Sequence, residues 1–279
     1  MAKRGARAPS AAGAAVPALQ DTPIEQLTGV GLQGAALLRA KGIETIGDLL
    51  GVLPRRYLDL RNGDDWSLVR ERSAGAPVAL TARVVDARIL GGPVAARRGK
   101  GGLALALQEP GAPTILRAVF FRALPGTRER AVVGATVRVV GTLREASGSV
   151  ELVHPRLLAA NARTAPIEPV YPSVGAVSLA ATEAWVAAAV ALADAWDDPL
   201  PPGVAKELGF PTSAQALRAI HAPPRDATPA MLTALARGTS LAHKRLAFEE
   251  LLAIGVLLER ARRATGPARP FRSDDPRGA

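Results

Sequence analysis

Apolar residues change their spacing twice along this chain. From Thr22 to Leu60 they follow a helical period, with Leu32, Ala35, Ala36 and Leu38 in one run and Ile46, Leu49, Leu50 and Leu53 in the next. Thr45 stands where an N-cap is needed, Asp48 occupies the capping-box position three residues later, and Pro54 stops the second run. The spacing predicts a helix, a turn at Gly42 and a second helix.

The period changes in the next hundred residues. Five runs read as strands: Pro77–Ile89, Gly102–Gln108, Thr114–Phe121, Ala135–Glu145 and Ser149–Pro155. Turns containing Gly or Pro separate them, with room for one short helix near Arg128–Val133. Five strands, the first of them long, suggest a small closed barrel, of which the oligonucleotide-binding (OB) type is the commonest. The expected fold class is therefore α+β: a five-stranded OB-type β-barrel flanked by N-terminal and C-terminal helical segments.

Side-chain parity sorts the strands into faces. In Thr114–Phe121 one face carries Leu116, Ala118 and Phe120; the other carries Ile115, Arg117, Val119 and Phe121. An unpaired Arg inside a small barrel costs several kcal/mol, so Phe120 is expected inside and Phe121 outside. The same reasoning puts Leu80, Ala82, Val84, Val137, Val139 and Leu143 inside, and Arg83, Arg138 and Arg144 outside. The result is an exposed Phe on an arginine-rich surface. The Gly91–Gly102 loop adds Arg97, Arg98 and Lys100 at a position where OB barrels usually grip a ligand; as an ordinary surface loop it would need no ligand.

From about Thr164 the pattern changes again. A Pro-rich strap leads into helical runs at Leu179–Ala195, Ala214–Ile220 and Ser240–Arg263, and in the last of these Phe248, Leu251, Leu252 and Leu258 form a stripe that expects a partner. The expected organisation is a disordered tail (1–21), a helical hairpin (22–61), an OB-fold domain (62–163), a strap and helical linker (164–263) and a disordered linker (264–279).

Composition narrows the chemistry. The chain has 279 residues, a formal net charge of +10 and no Cys. Thiolate metal sites, disulfides and Cys nucleophiles are thereby excluded. The charge suits either a polyanion partner or a genome that favours Arg on surfaces. The three His residues, His154, His221 and His243, are too scattered for a zinc motif, and there is no GxxxxGK[ST] phosphate loop. The first residues lack the apolar core of a signal peptide, and Ala184–Trp196 is too short to span a membrane. A soluble, cytoplasmic chain without a metal or cofactor of its own is expected.

Gly29, Val30 and Gly31 before the first helix resemble a helix-hairpin-helix element. They serve either as a backbone phosphate contact through Gly29 and Gly31 or as a tight turn needing positive φ. The longer stretch "LTGVGLQGAALLRAKGIETIGDLLGVLPRRYLDL" resembles the N-terminal signature of the RecG family of ATP-dependent DNA helicases. A strand-rich segment with a Phe-Phe pair, "VHP", "VYP", "IHAPP" and "RLAFEELL" follow in the same order. The resemblance covers about Thr22–Arg263. It implies a wedge domain at the branch of a replication fork or Holliday junction in recombination and repair, with Phe121 as the aromatic that stacks on the last base. The family often places a second aromatic one helical turn on; Pro125 stands there.

On this reading the chain is a nucleoid-associated monomer, and branched DNA is its partner. Phe121 stacks on a base while Arg97, Arg98, Lys100, Arg117, Arg122 and Arg138 meet the backbone. The family's motor would use ATP and Mg²⁺, but it would begin beyond the last helix. This chain is expected to be truncated before it and to hydrolyse no ATP alone. The residues also allow a stand-alone OB module that binds single-stranded nucleic acid or another protein.

Overall fold

The computed structural model describes residues 18–91, 101–121 and 125–265. Arg97, Arg98, Lys100 and Arg122 lie outside the described residues, as do most of the two expected tails. In chain order the elements are α1 (Gly31–Arg39), α2 (Ile46–Leu50), β1 (Arg56–Asp59), α3 (Ser67–Arg70), β2 (Pro77–Leu90), β3 (Gly102–Gln108) and β4 (Ile115–Phe120). They continue with α4 (Pro125–Arg130), β5 (Thr136–Ala146), β6 (Ser149–Val153), β7 (Arg156–Ala159) and β8 (Ile167–Val170). The chain then becomes helical: α5 (Leu179–Ala191), α6 (Pro202–Glu207), α7 (Ser213–His221), α8 (Pro229–Ala236) and α9 (Leu241–Thr265). Among the described residues no helix is long and apolar enough to cross a membrane. This mixed α+β chain divides into two compact units.

The first unit gathers the described residues up to Leu53, Tyr171–His221 and those from Arg237. Its core joins Leu38, Ile46, Leu49 and Leu50 to Val186, Ala189 and Leu217. The Thr45 capping box is present: Thr45 Oγ1 accepts from the Asp48 N–H, and Asp48 Oδ2 accepts from the Thr45 N–H at 2.9 Å. The apolar stripe expected on α1 is narrower than its spacing suggested. Ala35 and Leu38 are buried, whereas Leu32 is 86% exposed because it sits in the first turn, outside the packed face. Residues 18–21, expected in the tail, form a helical turn with Leu19 in the core.

In the same unit His221 ties three segments together. Its Nε2 donates to the Leu50 carbonyl (2.9 Å) and its Nδ1 accepts from the Tyr171 hydroxyl (3.1 Å). On α9, Arg245 is fully buried between Asp198 and Glu249, both at 2.5 Å. Burial pushes the Glu249 carboxyl up, against the pull of the Ser213 hydroxyl and the Arg245 charge. The buried stripe expected on α9 is present only in part: Phe248 and Leu252 are half-buried. Leu251 and Leu258 are 68% and 57% exposed, since the packed part of the helix is its N-terminal end, where Ala242 and Arg245 are buried.

The second unit, Pro54–Val170 with Ala222–Ala236, carries the sheet. Six strands take part where five were expected. The extra one, β7, pairs with the Val137–Val140 stretch of β5; it is only four residues long and follows a Pro, which hid it among the turns. The strand order is β2-β3-β4-β6-β5-β7, and β2 also pairs with β5. Every pair is antiparallel except β4 with β6. A register shift between Val84 and Asp86 lets the long β2 serve β5 with its first half and β3 with its second. The alternating residues Leu80, Ala82, Leu105, Leu116, Ala118 and Val139 are all at most 1% exposed and fill one core. Trp66 joins that core and donates from Nε1 to the Thr81 carbonyl (3.3 Å). Separately, β1 pairs with β8, and Arg61 links Asp59 (2.5 Å) to the Ala227 carbonyl just before α8 (2.7 Å).

Candidate nucleic-acid interface

The site begins where β4 runs out. The last ladder pair is Leu103 with Phe120, and Phe120 is only 3% exposed. One residue on, Phe121 has left the ladder and is 68% exposed. Strand alternation turns Phe121 away from the face that Phe120 fills, and beyond the end of β4 that side is open to water, unlike at Val119. Leaving such a ring in water forgoes about 1.5–3 kcal/mol of burial.

The backbone behind this ring is tightly constrained. A Cβ on Gly102 would lie 2.5 Å from the Phe120 carbonyl and 3.1 Å from that of Phe121, so only glycine lets β3 pass this close. Arg128 on α4 donates to the neighbouring Gly101 carbonyl at 2.7 Å. The imidazole of His154, just after β6, meets the Phe121 ring edge-on at 5.4 Å. Nothing in the local spacing marked this His; its one signal was its place in "VHP" directly after a strand.

Arg117 lies four residues earlier on the same strand face, roughly 13 Å away along the chain. Its side chain is 63% exposed and holds Glu151 at 3.8 Å, a loose surface pair. Val119, between them, is buried although it shares their parity, and its carbonyl accepts the His154 N–H. The ends of β2 and β3 that flank the basic loop, Leu90 and Gly102, pair with each other beside Phe120. The loop carrying Arg97, Arg98 and Lys100 is thus rooted at the end of the sheet from which Phe121 projects. Those three residues and Arg122 are outside the described residues.

Arg138 is set apart from this group. It pairs with Thr81, towards the opposite end of β2 from Leu90. It is half-buried, its terminal nitrogens reach the Thr81 and Thr164 hydroxyls, and its buried Nε has no acceptor among the described residues. Gly29 and Gly31 belong to the other unit. Both have positive φ, +91° and +60°, as a tight turn requires, and the Gly29 carbonyl accepts from Trp185 Nε1 at 2.8 Å.

Phe121 offers a hydrophobic π-face to water, and Arg117, farther along the strand, offers a largely exposed cation. That combination suits a base and a phosphate.

No family model matches the chain. Two curated relatives, ATP-dependent DNA helicase RecG of Escherichia coli strain K12 and of strain O127:H6, are 27% and 28% identical over 266 residues. The match covers 92% of this chain but only 36% of theirs, so the chain spans about a third of the length of these relatives. A solved structure of RecG bound to a three-way DNA junction shares the fold, with a TM-score of 0.57 at 20% identity over 91% of this chain and 33% of that one. The chain is homologous to RecG over nearly its whole length, in keeping with the N-terminal wedge region.

Proposed function

We propose that this chain binds branched DNA, as the junction-binding wedge region of a RecG-like helicase acting at replication forks and Holliday junctions in recombination and repair. The strand circuit in which β2 pairs with both β3 and β5 is read as an OB-type barrel of five strands, with β7 as an addition outside it. Phe121 at its rim stacks on the last base of a parted duplex. Stacking of this kind contributes about 1–3 kcal/mol per base and offsets part of the unpairing energy. Arg117, Arg97, Arg98, Lys100 and Arg122 meet the phosphates. Arg138 has a secondary place, because threonine hydroxyls already occupy its guanidinium.

The observation that carries the reading is the 68% exposure of Phe121 beside a Phe120 that is buried. Phe121→Ala tests it directly. The variant should bind a three-way junction about tenfold or more weakly, by the stacking magnitude above, with little change on plain duplex. Equal losses on both substrates would remove the stacking role. Tighter binding of single-stranded oligo-dT than of the junction would favour a general single-strand binder instead.

A further inference from the structure

We propose that His154 is a positioning residue for Phe121: its imidazole meets both the buried Phe120 ring and the exposed Phe121 ring and holds the outer one ready to receive a base. The inference rests on Phe121 being the base-contacting ring.

A side chain beyond the last ladder pair has no strand neighbour to select its rotamer. Ordering it on binding would cost conformational entropy, and a platform held in place beforehand avoids that cost. His154 is placed to provide the hold. Its ring meets Phe120 edge-on, with centroids 6.1 Å apart and planes at 89°, and meets Phe121 at 5.4 Å and 62°. Phe120 is fixed in the core, so the His ring has one immobile neighbour and one exposed one.

The backbone fixes His154 as well. It has φ +50°, a conformation that side-chain-bearing residues seldom take, and its N–H donates to the Val119 carbonyl at 2.8 Å. The next residue, Pro155, abuts Gly141 on β5 so closely that a Cβ there would lie 3.3 Å from it. The backbone at His154 is thus fixed to β4, and that at Pro155 lies against β5.

The positive φ supplies the test. His154→Gly removes the ring while relaxing the backbone, so the fold should persist; His154→Asn, also at ease at positive φ, is a second variant of the same kind. The full chain labelled with 4-fluorophenylalanine gives fluorine resonances for its five Phe residues, with that of Phe121 assigned by its loss in Phe121→Leu. In both His154 variants the Phe121 resonance should move towards its unfolded position, with that of Phe120 moving less and the other three staying in place. Affinity for a three-way junction should fall about threefold to tenfold, the size of one edge-to-face pair, with duplex binding unchanged. Combining His154→Gly with Phe121→Ala should cost no more than Phe121→Ala alone. An unmoved Phe121 resonance, or losses that add in the double variant, would overturn the positioning role by itself. A Phe121→Ala variant that binds the junction as well as the parent would instead overturn the stacking role on which it rests.

Discussion

His221 must be neutral to do what it does. A carbonyl can only accept, so Nε2 carries the proton donated to Leu50, and Nδ1 is left to accept from the Tyr171 hydroxyl. Burial drives its pKa down to about 4, helped by His243 and opposed by the Leu50 carbonyl. The unfolded chain binds this proton near pH 6.5, whereas the folded one resists it. The stabilisation is therefore complete above about pH 6.5 and is lost as the pH falls towards 4, at up to about 1.4 kcal/mol per pH unit. Urea unfolding at a series of pH values should show the gap between the parent and His221→Gln narrowing across that window. A constant gap would mean that His221 is not buried as a neutral base. At this scale the strand alternation put Phe120 and Phe121 on opposite faces in the sequence, but it did not show that Val119, of the same parity as Phe121, is covered. The partners of His154 and His221 were not legible, because they come from segments joined only by the fold.

Among the elements, α9 contrasts most sharply along its own length. Near its start, Arg245 is sealed in with two carboxylates and with Ser213, which bonds both Arg245 and Glu249. Further on, Leu251, Ile254, Leu257 and Leu258 are each more than half exposed. Arg245→Met should lower the unfolding free energy by about 1–3 kcal/mol, since it leaves the partly buried carboxylates of Asp198 and Glu249 without their cation, whereas Leu258→Glu should change it by no more than about 0.5 kcal/mol. Chemical denaturation of both variants checks the contrast; a mild Arg245→Met would mean that water replaces the guanidinium. The period of α9 was plain in the sequence, but which turns of it are covered was not, since coverage depends on what packs over the helix. The Thr45 cap was legible because both of its hydrogen bonds are local. Strand β7 was missed because four residues after a Pro carry too little alternation to register.

For the molecule as a whole, the linear reading placed one helical zone before the strands and another after them, while the contacts join both into one unit with a shared core. Pattern within a segment does not say which distant segment covers it. Charge is the property in which the full chain counts, and at +10 it should draw a polyanion from a distance whatever the base sequence. Five cations are proposed to meet phosphate: Arg117, Arg97, Arg98, Lys100 and Arg122. Each phosphate neutralised releases counterions, giving a slope of about −0.9 in log affinity against log salt, so all five together predict about −4 to −5. A salt titration of junction binding measures this slope. Arg117→Ala should make it shallower by about 0.9 and should weaken junctions of every base sequence alike, because a phosphate contact carries no sequence information. Phe121→Ala, by contrast, should lower affinity and leave the slope where it was, since stacking releases no ions. A slope near zero in the parent chain would refute the phosphate role of these cations, and a slope altered by Phe121→Ala would show that the ring and the charges do not act as separate parts.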